Sequence, residues 1–372
     1  MAFDDVVFLV PGFLGFSRVG GFYYFADRVS VTLRSTLEAL RQRSVPVVPV
    51  CTLPSDHLVE RQKRLVDAIG DRLRHIGDVK RIHLVGHSAG GVDAQLLTCD
   101  SPLNRDRWSS GAERIRSRIA SVVSIAAPHH GTCLSDAPVA RLIADPVVNA
   151  RWWPTAVGPI LGLLRLAANQ ANGPEIVWNA LDHLPDSGRF LLQFLVRRGL
   201  ILDLSPRCMS AIRRHWHRER RKDIVFRSFV TVTRPSMKAE PFFRDLSSLT
   251  ADTSQSPATT AVQTAVSLLN DRAAGALRSA VDAPSFDDRA NDGVVNSARQ
   301  IVDPGDRDEL AGIVVADHAD VMGHYDRQDE LISERPLNHG LFHSGAAFRD
   351  DQFFTLYRRV AEIIADVIPK AA

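Results

Sequence analysis

Between Arg81 and Val92 the chain reads R-I-H-L-V-G-H-S-A-G-G-V, a stretch that few folds can accommodate. Ile82 to Val85 is a short apolar run of the kind a buried strand uses. The run breaks at Gly86-His87-Ser88-Ala89-Gly90, and from Gly91 to Leu97 the sequence reads as the first turns of a helix. A G-x-S-x-G placed between a strand and a helix is a nucleophile elbow. The turn is tight, so a side chain at Gly86 or Gly90 is expected to collide with neighbouring backbone. It lifts the Ser88 hydroxyl clear of the sheet, and the helix N-terminus behind it favours developing negative charge. With 23 glycines in the chain an isolated pentad is unremarkable. The strand before it, the helix after it and the further Gly91 set this one apart.

On either side of the elbow the chain alternates strand and helix. Val6–Val10 is a continuous apolar run, as in a central parallel strand covered on both faces. It ends in the turn Pro11-Gly12-Phe13-Leu14-Gly15. Val29, Leu33, Leu37 and Leu40 recur at helical spacing and predict a helix within Phe22–Leu40. Val45–Val50 is extended, with prolines that suit an edge strand. His57–Ile76 carries Leu58, Leu65, Ile69, Leu73 and Ile76 on one face and leads into the elbow strand. Ser101–Arg118 reads as a surface loop with a helical turn, and Ala120–Ala126 as the next buried strand. Strands follow at Ile224–Thr233 and Ala311–Ala316, with helices at Thr260–Leu277 and Phe353–Val367. This is the order of a doubly wound, mostly parallel α/β sheet.

One segment interrupts it. Leu134–Lys222 shows helical periodicity, several Pro and Gly breaks and no strand pattern, dividing the core into residues 1–133 and 223–372. A helical insertion at that point lies over the carboxyl ends of the strands, where ligands bind in such sheets. Trp152-Trp153, Val157–Ala168 and Phe190–Leu204 are its most apolar parts. Two readings stand: a cap or lid over an apolar pocket, or a subdomain that packs on itself. Arg213–Lys222, a basic run, is either a solvated helix face or a contact for an anionic lipid surface with Trp216 as anchor.

A formal charge of +2 over 372 residues gives no field that would favour nucleic acid. No apolar run approaches the roughly 20 residues of a membrane span. Met1-Ala-Phe-Asp-Asp5 runs straight into the first strand without the parts of a signal peptide, so a cytoplasmic protein is expected. Cys51, Cys99, Cys133 and Cys208 form no C-x-x-C pair and are expected to be reduced, mostly buried thiols.

A serine hydroxyl needs a base, and imidazole suits that role. In hydrolases built around such an elbow the chain order is serine, acid, histidine. His83 and His87 come too early and read as packing or elbow residues, and His129 and His130 precede any plausible acid. His318, directly after the last strand, is the leading base, with His324 next and His339 and His343 behind. Asp292, in the turn Asn291-Asp292-Gly293, is the leading acid, with Asp287, Asp288 and Asp303 as competitors.

These residues resemble the bacterial triacylglycerol lipases of the α/β-hydrolase superfamily. Val10-Pro-Gly-Phe-Leu-Gly15 is similar to their oxyanion loop, with Pro11 where a histidine is usual. Gly86–Gly91 matches their elbow, and Ala127-Pro-His-His-Gly-Thr132 their A-P-H-x-G-[ST] block. Asn291–Val295 and His318-Ala-Asp320 resemble the blocks that carry their acid and base. An excursion before the acid, here Ser247–Ala290, is also a family feature. The resemblance implies Ser88 as nucleophile, Asp292 as acid, His318 as base and the backbone N–H groups of Phe13 and Ala89 as oxyanion hole. It also implies a possible structural calcium through Asp320, with Asp271, Asp282 or Asp287 as partner, and no other cofactor. The missing secretion signal and the long insertion are departures from the family. The expected activity is hydrolysis of acyl or lipid esters, with acyl transfer or polyester cleavage as variants on the same triad. A non-catalytic binding scaffold would be expected to lack one of the three residues.

Overall fold

The computed structural model describes residues 3–13, 15, 18–19, 22–53, 55–104, 107–135, 199–233, 241–252, 258–276, 285–325 and 348–370. In chain order these form β1 (Asp5–Val10), the short ribbon β2 (Arg18–Val19) and β3 (Phe22–Tyr23), α1 (Asp27–Arg41) and β4 (Val47–Pro49). Then come α2 (Leu58–Ile76), β5 (Arg81–His87), α3 (Ala89–Leu96), α4 (Ser110–Arg116) and β6 (Ile119–Ile125). After the insertion's described end, α5 (Gly199–Asp203) and α6 (Pro206–Glu219), the chain adds β7 (Val225–Val232), α7 (Pro241–Ala251), α8 (Thr260–Ala276), β8 (Leu310–Val315) and α9 (Asp350–Val367).

Six strands make one sheet in the order β4-β1-β5-β6-β7-β8, every neighbouring pair parallel. The apolar run of β1 shows why both faces are covered. Val7 and Leu9 pack among residues of α1 and α9, while Val6, Phe8 and Val10 pack among residues of α2 and α4. Successive side chains of a strand point to opposite faces, so a run without polar alternation requires two layers of helix. The proline-bearing β4 is the edge, as its composition predicts. From β1 the chain crosses to β4 on one side and later to β5 on the other. The connections therefore diverge at the carboxyl ends of β1 and β5, which is where such sheets bind ligands.

Three expectations are corrected. The helix predicted from Phe22 begins at Asp27, because Phe22-Tyr23 pairs with Arg18-Val19 and the aromatic run suits a strand. Leu40, placed on its buried stripe, is exposed. Trp216 is no lipid anchor. With Met209 and Ile212 it lies on the inner face of α6, buried, its indole N–H donating to Thr98 Oγ1 at 2.9 Å. The basic run around it is paired with acids, Arg218 with Glu219, Arg221 with Asp223 and Arg220 with Asp303. Of the cysteines, Cys99 and Cys133 are buried, Cys51 is half-buried and Cys208 is exposed, and none of them is joined in a disulfide. The Trp152-Trp153 pair and the Val157–Ala168 segment lie outside the described residues, as do His339, His343 and Asp282. No helix among the described residues is long and apolar enough to cross a membrane.

Candidate active site

Ser88 joins β5 to α3 with φ 55° and ψ −133°, a left-handed conformation that a non-glycine residue adopts only under constraint. Its N–H donates to Ile125 of β6 at 2.9 Å, which fixes the turn to the sheet. The small residues around it are obligatory. A Cβ on Gly86 would stand 2.4 Å from the Gly90 carbonyl oxygen, and one on Gly90 would stand 2.2 Å from that of Val10. The collision expected from the sequence is therefore real, and it is with backbone that cannot give way.

Val10 pairs with Gly86, so the loop leaving β1 starts beside the elbow. Arg61, buried within α2, holds that loop by its oxygens. Its guanidinium donates to the carbonyls of Pro11 (3.2 Å), Gly12 (3.1 Å) and Leu53, and to Asp93 of α3 at 2.6 Å. Burial raises the Asp93 carboxyl above its ordinary range, and the Arg61 charge opposes that shift. The Gly12–Phe13 peptide is trans, so fixing its oxygen on Arg61 turns the Phe13 N–H to the opposite side. Ala89 opens α3, and its N–H has no acceptor within the helix.

The residues expected as acid and base, Asp292 and His318, meet beyond the ends of β7 and β8. His318 Nδ1–H donates to Asp292 Oδ2 at 2.8 Å, and the His318 N–H donates to the Asp292 carbonyl at 3.0 Å. Asp292 is fully buried. The same Oδ2 accepts from the Thr231 hydroxyl (2.5 Å) and Gln300 Nε2 (3.2 Å), while Oδ1 accepts the N–H groups of Val294 (3.0 Å) and Val295 (2.8 Å). So many donors fix the carboxylate in one orientation. The pair comes to the elbow through His87, whose Nε2–H donates to the His318 carbonyl at 2.8 Å. The two rings stand 4.7 Å apart.

The competitors are engaged elsewhere. His324 Nε2 donates to the carbonyls of Tyr23 and Tyr24 at the start of α1. His129 is buried between Gln95 and Ser124, its pKa depressed by burial to about 3. Asp287 caps the amides of Arg289 and Ala290, Asp303 pairs with Arg220, and Asp288 lends only its carbonyl, to Asn296. Of the residues named for calcium, Asp282 lies outside the described residues, and Asp320, Asp271 and Asp287 do not gather. Asp320 turns inward, accepting the Asp317 N–H at 2.9 Å, and Asp271 pairs with Arg307. No group of three or more His, Cys, Asp or Glu side chains suited to a metal ion occurs among the described residues. Among the described residues, the side chains do not assemble a calcium site.

Sequence reasoning missed Arg61, Asp93, Thr231, Gln300 and Tyr24. Arg61 did leave a signal, since it falls on the buried stripe of α2 between Leu58 and Leu65. A cation at such a position demands a buried partner. The others carry no pattern of their own.

No family model matches the chain. A triacylglycerol lipase from Pseudomonas fragi is 29% identical over 131 residues, 35% of this chain, and the chain spans 36% of the length of that relative. Lipase 1 from Pelosinus fermentans superposes with a TM-score of 0.53 at 16% identity, over 97% of this chain and 98% of that one. EstA from Clostridium botulinum does so at 0.53 and 18% identity, over 99% and 88%. The chain has the α/β-hydrolase fold. Its resemblance to bacterial lipases, read first from short blocks, extends to an aligned segment of sequence.

Proposed function

We propose that this chain is a serine carboxylic-ester hydrolase, a lipase or esterase that cleaves acyl esters with apolar chains through an acyl-enzyme on Ser88. The observation that carries the reading is the buried Asp292–His318 pair, fastened to the residue that precedes a strained elbow serine. His318 takes the Ser88 proton through Nε2 as the serine oxygen attacks the ester carbonyl. Asp292 holds the Nδ1–H tautomer and stabilises the imidazolium that forms. The carbonyl oxygen becomes an oxyanion and accepts the N–H groups of Phe13 and Ala89. His318 then returns the proton to the departing alcohol oxygen, leaving the acyl group on Ser88. Water repeats the sequence: His318 removes its proton, the acid leaves, and Ser88 regains its hydrogen.

Phe13 and Ala89 pack into an apolar cluster with Leu58, Leu200 and Leu204, so the two N–H groups are set in hydrocarbon surroundings, which supports an apolar acyl chain. Each Å² of that chain buried is worth roughly 25 cal/mol. The triacylglycerol lipase of Pseudomonas fragi supports a glyceride ester as the substrate. The test is labelling by a fluorophosphonate, followed by a panel of p-nitrophenyl esters from acetate upward. Label found on the Ser88 peptide, with kcat/KM rising as the chain lengthens, is expected. A protein that neither takes the label nor cleaves any ester of the panel would end this reading.

A further inference from the structure

We infer that His87, braced by Tyr24, is a positioning residue that clamps the main chain of His318 and thereby holds the base on Ser88. The inference rests on the hydrolase reading above.

His87 is buried, and both of its ring nitrogens are engaged. Nε2 faces the His318 carbonyl, which can only accept, so the proton sits on Nε2. Nδ1 is then the acceptor, and the Tyr24 hydroxyl donates to it at 2.7 Å. The Tyr24 oxygen in turn accepts the Gly12 N–H. The result is a directed chain from the oxyanion loop, through Tyr24 and His87, to the peptide of the base. With the His318 N–H given to the Asp292 carbonyl, the peptides on both sides of His318 are held, and its ring is held by Asp292.

Charge gives the arrangement a purpose beyond packing. The titratable groups around His87 are Tyr24, His318 and His324. A second imidazolium 4.7 Å from the His318 ring would oppose the charge His318 must carry in the transition state. Burial holds His87 well below its ordinary range, with the neighbouring histidines acting in the same direction. The His318 carbonyl fixes the tautomer and Tyr24 completes it, so His87 remains a neutral donor while His318 gains and loses its proton.

The test compares Tyr24→Phe, His87→Gln, His87→Leu and Ser88→Ala in the full chain, reading kcat, KM and the pH profile of kcat/KM on p-nitrophenyl butyrate. His87→Leu is expected to lower kcat about 100-fold with KM within about threefold, the cost of a small misplacement of a reacting group. His87→Gln, whose amide N–H reaches the same carbonyl, is expected to recover kcat to within about tenfold of the parent, and Tyr24→Phe to fall between. The acid limb of His87→Leu should move to lower pH, because a loosened Asp292 contact favours the imidazolium less. Parental kcat in a folded His87→Leu overturns the clamp. So does a His87→Gln as impaired as His87→Leu with its acid limb unmoved, which is the mark of packing alone. If the His87 variants do not fold, Tyr24→Phe decides, since it removes only a hydroxyl: unchanged kcat and acid limb there overturn the clamp. Turnover surviving in Ser88→Ala removes the hydrolase reading and the clamp together, whereas loss there with retention in His87→Leu removes the clamp alone.

Discussion

The two sides of the site are built by different means. On the β1–β5 side, position comes from backbone: a strained serine, glycines pressed against carbonyls, and peptide groups turned by one buried guanidinium. On the β7–β8 side, it comes from side chains, with Thr231, Gln300 and two amides converging on one carboxylate. The first construction is short in sequence and intolerant of volume. The second is assembled from distant elements and should tolerate changes of size better than changes of hydrogen bonding.

The largest expected effect tests the first side. Ser88→Ala should lower ester turnover on the order of 10⁴-fold or more, with the melting temperature preserved. A substantial residual rate in clean protein would show that the elbow holds the fold and not the chemistry. Next comes the second side. His318→Ala should cost on the order of 10³-fold or more in kcat/KM, and His324→Ala about tenfold at most, because His324 Nε2 is given to the carbonyls before α1. The reverse ranking would move the base by six positions and dissolve the comparison.

A sharper contrast lies in the buried charges. Arg61→Met leaves Asp93 unpaired and should destabilise by about 3–5 kcal/mol in urea unfolding. The double variant Arg61→Met with Asp93→Leu should recover most of that stability, yet keep a kcat lowered by about 10-fold or more, because the Gly12 carbonyl has lost its anchor. A double variant that regains parental kcat would deny the guanidinium its hold on the oxyanion loop.

The smallest effect concerns Glu309, buried at the foot of β8, where burial pushes its carboxyl up to about 7 against donors from Ser228, Val302 and Asp303. The folded protein binds this proton more tightly than the unfolded chain, whose carboxyl has the ordinary value of 4.5. The contribution is therefore fully present below about 4.5 and is lost as pH rises through about 7. Between pH values of about 5 and about 8 the parent should lose about 1–3 kcal/mol relative to Glu309→Gln. Parallel stability curves for the two proteins would show that Glu309 is ionised throughout.

How legible each side was follows from the same difference. The elbow could be read because steric demand leaves only a few residue types at Gly86, Ser88 and Gly90. Asp292 and His318 could be proposed from a turn signal and a strand end. Gln300 and Thr231, which hold Asp292, could not, since a hydrogen bond between distant elements imposes no period on either. The ribbon before α1 was misread because Val29, Leu33 and Leu37 fix a helix's face but not its first residue. The lipid-anchor alternative for Trp216 fails for a related reason: a basic run describes the outer face of α6 and hides the inner one.

The packing of α1 against α9 sets an order in time. Val29, Leu33 and Leu37 are covered by residues of α9, and Arg41 of α1 donates to the Ala365 carbonyl at 2.7 Å. Tyr357 of α9 donates to the Val321 carbonyl, just beyond His318, at 2.6 Å. Synthesis at about 5–20 residues per second separates these helices by roughly 300 residues, and hence by roughly 15–60 s. Throughout that interval the apolar stripe of α1 lacks the part of its cover that α9 supplies, and the segment carrying His318 lacks the Tyr357 contact. The elbow is therefore made early, and the His318 segment gains its last support only when α9 has docked.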